Sequence, residues 1–295
     1  MSQQETTATT ANRAEERDFD LPSGRIHAEV SGSADAPLVI GVPGLSANLR
    51  SFDVIFGALD PSQHRMLAYD PRGRGRSEKT PAGTFGWPAH AKDIVDMADA
   101  LGAATFDLVG WSMGTWIAMK VCELYPGRVR RLVLIDGGGW PDESAKPPIY
   151  AGLERLESVW PSREGFLALI SQLPNYQPWN PAWEALFNYE LQDVEGGVQA
   201  RSKVLGPWED EKHRQEQDPY ALWQAVTMPS LLIRASRPIM DGMGYILNQA
   251  DTDRFKAEVP GSKVELVDAN HYVIGMHDDT ASAIHEFLSE PLQQA

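Results

Sequence analysis

The fold of this 295-residue chain is decided by residues 106–115, FDLVGWSMGT. The apolar run over residues 106–110 predicts a buried strand, and residues 115–125 carry apolar side chains at helical spacing. Between them stands a Gly-x-Ser-x-Gly string, in which a sharp turn from strand to helix lifts a serine above the sheet edge. The glycines at positions 110 and 114 leave room for that strained turn. Ser112 is therefore the candidate nucleophile.

Apolar, β-branched runs on both sides of this turn extend the pattern along the chain. Eight strands are predicted, at residues 19–21, 26–30, 38–42, 66–70, 106–110, 129–136, 231–235 and 264–267. Helical spacing of apolar residues is found at residues 89–101, 115–125, 245–259 and 280–289. Strands that alternate with helices predict an α/β fold, a mostly parallel eight-stranded sheet with helices on both faces.

The alternation stops between residues 141 and 222. That segment shows no strand-like run, and prolines interrupt its helical stretches. We predict a helical cap there, inserted between a first core part at residues 18–140 and a second at residues 223–295. Residues 1–17 are polar and lack an apolar period, which predicts a disordered leader.

Composition narrows the classes of function. The 41 acidic and 26 basic residues give a net charge of −15, so nucleic acid and anionic membranes are not expected as partners. No apolar run approaches the roughly 20 residues of a bilayer span, and residues 1–20 lack the apolar block of a signal peptide. The lone Cys122 excludes an intramolecular disulfide and a cysteine metal site. The sequence predicts a cytoplasmic protein. It does not determine whether the protein forms a homo-oligomer.

Further motifs make the chain resemble the α/β-hydrolase superfamily from about residue 18 to residue 288. After the third predicted strand, residues 42–45 read VPGL, where members usually carry His-Gly and an apolar residue. The resemblance implies that the backbone N–H groups of Leu45 and Met113 form an oxyanion hole. Pro43 replaces the usual histidine, but it leaves the Leu45 donor intact.

A second string follows the fourth predicted strand. Residues 70–77, DPRGRGRS, are similar to a string common in esterases, haloperoxidases, epoxide hydrolases and carbon–carbon bond hydrolases of the superfamily. It is a scaffold signal, in which glycines permit a compact loop and Asp70 is expected to pair with Arg72. Its glycine spacing fits neither a dinucleotide loop nor a phosphate loop.

The resemblance also assigns the catalytic base and leaves the acid open. Of the seven histidines, His271 follows the last predicted strand and precedes the final helix, as the superfamily's catalytic histidine does. The acid usually comes shortly after the seventh strand, where Asp241 stands about three residues late. A minority of members carry it at the end of the sixth strand, where Asp136 precedes three glycines. Asp136 is favoured, and Asp241 is the alternative.

These residues imply a serine hydrolase with no metal and no organic cofactor. The predicted cap is rich in aromatic side chains, which favours a small apolar or aromatic ester or lactone, with water as the second substrate. The pocket is predicted to include Trp111, Trp160, Trp183 and Tyr189. The predicted activity is that of a carboxylesterase or lactonase. The alternatives are a carbon–carbon bond hydrolase of the same fold and a ligand receptor or regulatory protein with slow lactone turnover.

Overall fold

The computed structural model describes residues 14–292. In this range the main sheet has eight strands: β1 (Glu15–Leu21), β2 (Gly24–Gly32), β3 (Leu38–Val42), β4 (Arg65–Tyr69), β5 (Phe106–Trp111), β6 (Val129–Ile135), β10 (Ser230–Ala235) and β11 (Lys263–Val267). A small sheet holds β7 (Val159–Trp160), β8 (Leu191–Val194) and β9 (Gly197–Ala200). The order in the main sheet is β1-β2-β4-β3-β5-β6-β10-β11. Only the β1–β2 and β2–β4 pairs are antiparallel, so the predicted mostly parallel sheet is confirmed.

Helices cover both faces of the main sheet. The described helices outside residues 141–222 are α1 (Asp53–Gly57), α2 (Trp87–Ala100), α3 (Met113–Leu124), α8 (Gln249–Glu258) and α9 (Asp278–Ser289). Those within residues 141–222 are α4 (Lys146–Glu154), α5 (Arg163–Ile170), α6 (Pro181–Glu190) and α7 (Leu205–Gln215). Successive side chains of β3 point to opposite faces. Ile40 belongs to a core cluster that includes residues of α2, α3 and α8, and Val39 belongs to a second cluster that includes residues of α1 and α9. Within residues 14–292, no helix combines the length and the apolar composition that a bilayer crossing requires.

Two predicted element boundaries are wrong. Strand β1 begins at Glu15, within the predicted leader, and pairs antiparallel with β2, Glu15 opposite Val30. This edge strand is mostly exposed and charged, so it has no apolar run; residues 1–13 of the predicted leader lie outside the described residues. The helix predicted at residues 245–259 starts at Gln249, because the Asn248 side chain accepts a hydrogen bond from the Asp251 N–H and caps it.

Residues 141–222, called the insertion below, leave the main sheet after β6 and return before β10. They form helices α4 to α7 and the small sheet of β7, β8 and β9. The prediction that this segment contains no strands is wrong. β8 and β9 form a hairpin whose turn uses Gly196 at φ 88° and Gly197 at φ 146°. Strands of two to four residues are too short to give a periodic signal.

The glycines of the Gly-x-Ser-x-Gly string are required by a close approach of backbones. A Cβ atom on Gly114 would lie 1.9 Å from the carbonyl oxygen of Val42, and one on Gly110 would lie 2.4 Å from the carbonyl oxygen of Gly114. The start of α3 is therefore pressed against the end of β3, with no space for a side chain.

We expect Gly114→Ala to lower the free energy of unfolding by about 3 kcal/mol or more, because the new methyl group meets backbone rather than a side chain that can move. Gly57→Ala is the matched control: no atom lies within 4 Å of its added Cβ. That control should change stability by no more than about 1 kcal/mol. Urea unfolding of both variants measures the difference, and equal stabilities would contradict the packing argument.

Candidate active site

The residues predicted to act together follow four strands of the main sheet. β3, β5, β6, β10 and β11 run parallel, so the loops after them meet at one edge. Ser112 follows β5, Asp136 follows β6, His271 lies in the loop after β11, and Leu45 lies in the loop after β3. Sheet topology thus brings together residues that are far apart in sequence.

Ser112 and Asp136 share an uncommon backbone conformation. They are the two non-glycine residues with positive φ between residues 14 and 292, at 55° and 45°. Their turns are tied to neighbouring strands: the Ser112 N–H donates to the Ile135 carbonyl at 2.9 Å, and the Asp136 N–H donates to the Ile233 carbonyl at 2.8 Å. Conformations of this kind cost free energy and concentrate at functional sites.

A continuous hydrogen-bonded chain joins Ser112, His271 and Asp136. His271 Nε2 lies 3.0 Å from Ser112 Oγ, and His271 Nδ1 lies 2.7 Å from Asp136 Oδ2. Asp136 Oδ1 accepts a hydrogen bond from the Ala235 N–H at 3.0 Å, which fixes the carboxylate in its plane. Asp136 and His271 are buried, and Ser112 is partly buried. The glycine after Asp136 is required, because a Cβ on Gly137 would lie 2.5 Å from Thr115 Oγ1.

Asp241, the alternative acid, lies elsewhere. It is exposed in the turns that follow β10, and within the described residues its carboxylate has no hydrogen-bond partner. The carboxylate that is hydrogen-bonded to His271 belongs to Asp136.

The loop after β3 passes directly over Ser112. A Cβ on Gly44 would lie 3.4 Å from Ser112 Cβ, and Leu45 lines the same cavity as Ser112 and Met113. Met113 is the first residue of α3, where an N–H has no acceptor within the helix. Arg74 holds the loop by donating from Nε and Nη2 to the Leu45 carbonyl at 3.1 and 2.9 Å. Sequence reasoning gave Arg74 no role, although it lies in the DPRGRGRS string.

The predicted pair of Asp70 and Arg72 does not form. Arg72 instead makes an ion pair with Asp93 of α2, with Nη2 2.7 Å from Oδ1. Asp70 accepts hydrogen bonds at Oδ2 from the Arg76 N–H at 2.7 Å and the Tyr189 hydroxyl at 2.6 Å. Consecutive loop residues point in different directions, so nearness in sequence did not identify these partners.

Asp210 of α7 connects the insertion to the core. Its Oδ2 accepts from Arg74 Nη2 at 2.6 Å and lies 2.9 Å from His90 Nε2, and its Oδ1 accepts from the Gly86 N–H at 2.6 Å. Burial alone would raise the pKa of Asp210, but the charges of His90 and Arg74 and the hydrogen bonds outweigh it and lower the pKa. Because Arg74 also holds Leu45, this network links the insertion to the loop over Ser112.

We expect Asp210→Asn to lower the free energy of unfolding at pH 7 by roughly 3 kcal/mol or more, because it leaves Arg74 buried without its counter-charge. Because the pKa of Asp210 is lower in the folded chain than in the unfolded chain, its ionised carboxylate stabilises the fold at pH values above the unfolded-state pKa. This stabilisation is lost progressively as the pH falls below about 5. The difference in the free energy of unfolding between wild type and Asp210→Asn should therefore become smaller at acidic pH. Urea unfolding from pH 7 to pH 3 tests this, with the exposed Asp193→Asn as control; a gap independent of pH would contradict it.

A cavity of about 140 Å³ lies between the sheet edge and the insertion. Ser112, His271, Leu45 and Met113 contribute to its wall. Its large apolar side chains are Trp111, Trp116, Ile149, Trp183, Leu186, Phe187 and Ile246. The predicted pocket residues Trp111 and Trp183 therefore lie at the cavity.

The other two predicted pocket residues do not line the cavity. Trp160 packs edge to face on Phe166 at a centroid distance of 5.3 Å. The Tyr189 hydroxyl is bonded to Asp70, and the guanidinium of Arg76 lies 4.9 Å from its ring centre. Aromatic content predicted a ring-rich segment, but the direction in which each ring points depends on the packing of the insertion.

Sequence reasoning missed the polar residues of the cavity wall. Arg155 and Arg214 line the cavity together with Glu190, Glu211 and Asp210. In the sequence these are ordinary charged residues of helical segments, which are usually solvated. Only the fold shows that they face an interior space. Tyr272, next to His271, also lines the cavity and had been given no role of its own.

Comparison with known proteins agrees with this fold. A family model described as alpha/beta hydrolase fold matches residues 37–277. The chain therefore belongs to the α/β-hydrolase fold family, as the sequence predicted.

Relatives within that family include several hydrolases. N-formylmaleamate deformylase of Pseudomonas putida is 28% identical over 262 residues, 86% of this chain and 89% of that protein. 2-Hydroxymuconate semialdehyde hydrolase of Pseudomonas putida is 36% identical over 115 residues, 39% of each chain. Matches to two other curated relatives span 51% and 41% of their lengths. The crystal structure of E-2-(acetamidomethylene)succinate hydrolase superimposes with a TM-score of 0.82 at 22% identity, covering 94% of this chain and all of that one, a likeness of fold.

Proposed function

We propose that this protein is a serine hydrolase that cleaves a small carboxylic ester or lactone through an acyl-enzyme on Ser112. The observation that carries the proposal is the chain of two hydrogen bonds from Ser112 Oγ through His271 to Asp136, at 3.0 and 2.7 Å. Membership of a hydrolase fold family and the hydrolase names of its relatives support the reaction class.

In the proposed reaction, Ser112 Oγ attacks the acyl carbonyl carbon while His271 Nε2 takes the serine proton. The oxygen of the tetrahedral intermediate is bound by the N–H groups of Leu45 and Met113, and a donor of this kind contributes about 3 kcal/mol to transition-state stabilisation. His271 then gives its proton to the leaving alkoxide. Water, activated by the same imidazole, releases the acid and restores Ser112.

Asp136 acts on the imidazole in this scheme. Its hydrogen bond to Nδ1 keeps Nε2 free to accept the serine proton, and its charge stabilises the imidazolium that forms. The Ala235 N–H holds the other carboxylate oxygen, so the carboxylate cannot turn away from the ring. Asp136 is therefore assigned as the acid, in preference to Asp241.

Cavity size and chemistry bear on the substrate. At about 140 Å³ the space is close to the roughly 150 Å³ of a cavity that holds one benzene ring, which favours a small acyl group. Apolar side chains line much of it and favour a hydrocarbon portion. The expected reactants are a small apolar or aromatic ester or lactone and water. A cytoplasmic location and the exclusion of nucleic acid and membranes as partners stay predictions.

The first test is hydrolysis of p-nitrophenyl esters of increasing acyl length, together with small aromatic lactones, by wild type and Ser112→Ala. We expect turnover of the short-chain esters, falling with chain length as the acyl group exceeds the cavity, and its loss in Ser112→Ala because the nucleophile is gone. Product release is followed by absorbance. A folded wild type that turns over none of these compounds would contradict the proposal and favour the carbon–carbon hydrolase or the receptor.

The acid is tested by a matched pair of variants. Asp136→Asn should lower kcat on the best ester by about 10⁴-fold, because the amide no longer favours the imidazole tautomer with Nε2 free. Asp241→Asn should stay near the wild-type rate, since Asp241 is exposed and has no contact with His271. Steady-state kinetics on both proteins decides; the reverse ranking would assign Asp241 as the acid.

A further inference from the structure

The cavity wall contains a donor cluster that the proposed reaction does not use, formed by Arg155 of the insertion and Tyr272. Both residues line the cavity together with Ser112 and His271. The Arg155 side chain keeps 15% of its surface exposed, which gives it contact with the cavity. Its guanidinium lies 5.5 Å from the ring centre of Phe166 and 5.4 Å from that of Phe187, so it is held among aromatic rings.

Glu190 accepts hydrogen bonds from only some of the N–H groups of Arg155. The Glu190 carboxylate accepts one hydrogen bond from Nη1 and one from Nη2, the latter at 3.1 Å. A guanidinium carries five N–H groups. Three of them therefore have no acceptor within residues 14–292. The Glu190 bonds hold the guanidinium in place, so these three donors have a fixed direction.

The Tyr272 hydroxyl adds a further donor. It makes no hydrogen bond with any of the described residues. Its ring packs edge to face on Tyr176 at 5.2 Å and on the His271 ring at 5.8 Å, which places it beside the reacting groups. Burial and the nearby Tyr176 raise the pKa of Tyr272, so the hydroxyl is protonated and can donate at neutral pH.

The carboxylates of the cavity wall are already occupied. Glu190 is paired with Arg155, Glu211 with Arg214, and Asp210 with Arg74. Three arginines thus balance three carboxylates, and an entering anion meets no net negative charge from these pairs. Arg155 and Tyr272 add unused donors to this wall, which a ligand that carries acceptors would satisfy.

We propose that Arg155 and Tyr272 bind a carboxylate at the end of the substrate acyl chain opposite the scissile bond. The inference rests on the proposed function and narrows its substrate class to short half-esters or lactones that carry a free carboxylate. A carboxylate is preferred to a neutral carbonyl because its two oxygens match the fork of the guanidinium and the resulting bonds are charge-assisted. Arg155 and Tyr272 act in this proposal as specificity-determining residues.

The test compares three methyl esters of equal acyl chain length: monomethyl glutarate, methyl 4-oxopentanoate and methyl pentanoate. We expect wild-type kcat/KM for monomethyl glutarate to exceed that for methyl pentanoate by about tenfold or more, the range of a hydrogen bond to a charged group. Acid release is measured by titration at constant pH. An equal gain for methyl 4-oxopentanoate would overturn the carboxylate assignment, because charge would then play no part.

Variants of Arg155 and Tyr272 test whether these two residues cause the preference for monomethyl glutarate. Tyr272→Phe should reduce the glutarate-to-pentanoate ratio of kcat/KM severalfold, mainly through a higher KM for monomethyl glutarate. The double variant Arg155→Met/Glu190→Gln removes both charges together, so no unpaired ion is left buried, and should bring the ratio close to one. Tyr125→Phe, at the C-terminal end of α3 and outside the cavity wall, is the matched control and should keep the wild-type ratio. A ratio that persists in both cluster variants would overturn the inference.

Failure of the inference and failure of the proposed function give different results. Equal hydrolysis of all three esters, abolished in Ser112→Ala, would overturn the carboxylate site and leave the serine hydrolase standing. Hydrolysis of none of the three, together with no turnover of the p-nitrophenyl esters and lactones, would overturn the proposed function. Calorimetric titration of Ser112→Ala then decides the site by itself: binding of monomethyl glutarate, weakened by Tyr272→Phe, supports it, and affinity no greater than for methyl pentanoate overturns it.

Discussion

The structure depends on one close approach, that of the first turn of α3 to the end of β3. Only hydrogen atoms fit at Gly114, where a Cβ would lie 1.9 Å from the Val42 carbonyl oxygen. This contact fixes where α3 begins, and so it fixes the strained position of Ser112 at φ 55° between strand and helix. It also sets the loop after β3 over the serine, with Gly44 facing Ser112 Cβ. The serine and the loop residues that face it are therefore placed by a single packing constraint.

The insertion is tied to that loop through buried charge. Asp210 of α7 accepts from Arg74, and Arg74 donates to the Leu45 carbonyl. Breaking the pair would leave an uncompensated charge in the interior, which is costly, so the insertion and the loop over Ser112 hold each other in position. The same insertion supplies Arg155, whose unused donors give the cavity a polar side. The insertion and the sheet edge that carries Ser112 are thus mechanically connected.

The cavity wall contains polar side chains that the composition did not predict. The aromatic content of the insertion predicts an apolar ligand, and Trp183 and Phe187 do line the cavity. Trp160 and Tyr189 are used elsewhere, for packing on Phe166 and for bonding Asp70. Arg155 and Arg214 carried no signal in the sequence, because a charged residue in a helical segment is usually solvated. Their interior position results from how the helices of the insertion fold over the sheet edge.

By itself the sequence determined the α/β fold and the position of Ser112, because both are encoded locally: apolar strand periodicity and two glycines around a serine are readable within ten residues. The resemblance to α/β-hydrolases singled out His271, by its place after the last strand. Tertiary structure alone decided that Asp136 rather than Asp241 contacts His271, since that contact joins loops 135 residues apart. It likewise decided the partners of Asp70 and Arg72, the hairpin in the insertion and the donors facing the cavity. Side-chain direction and long-range contacts arise from packing, which no local pattern records.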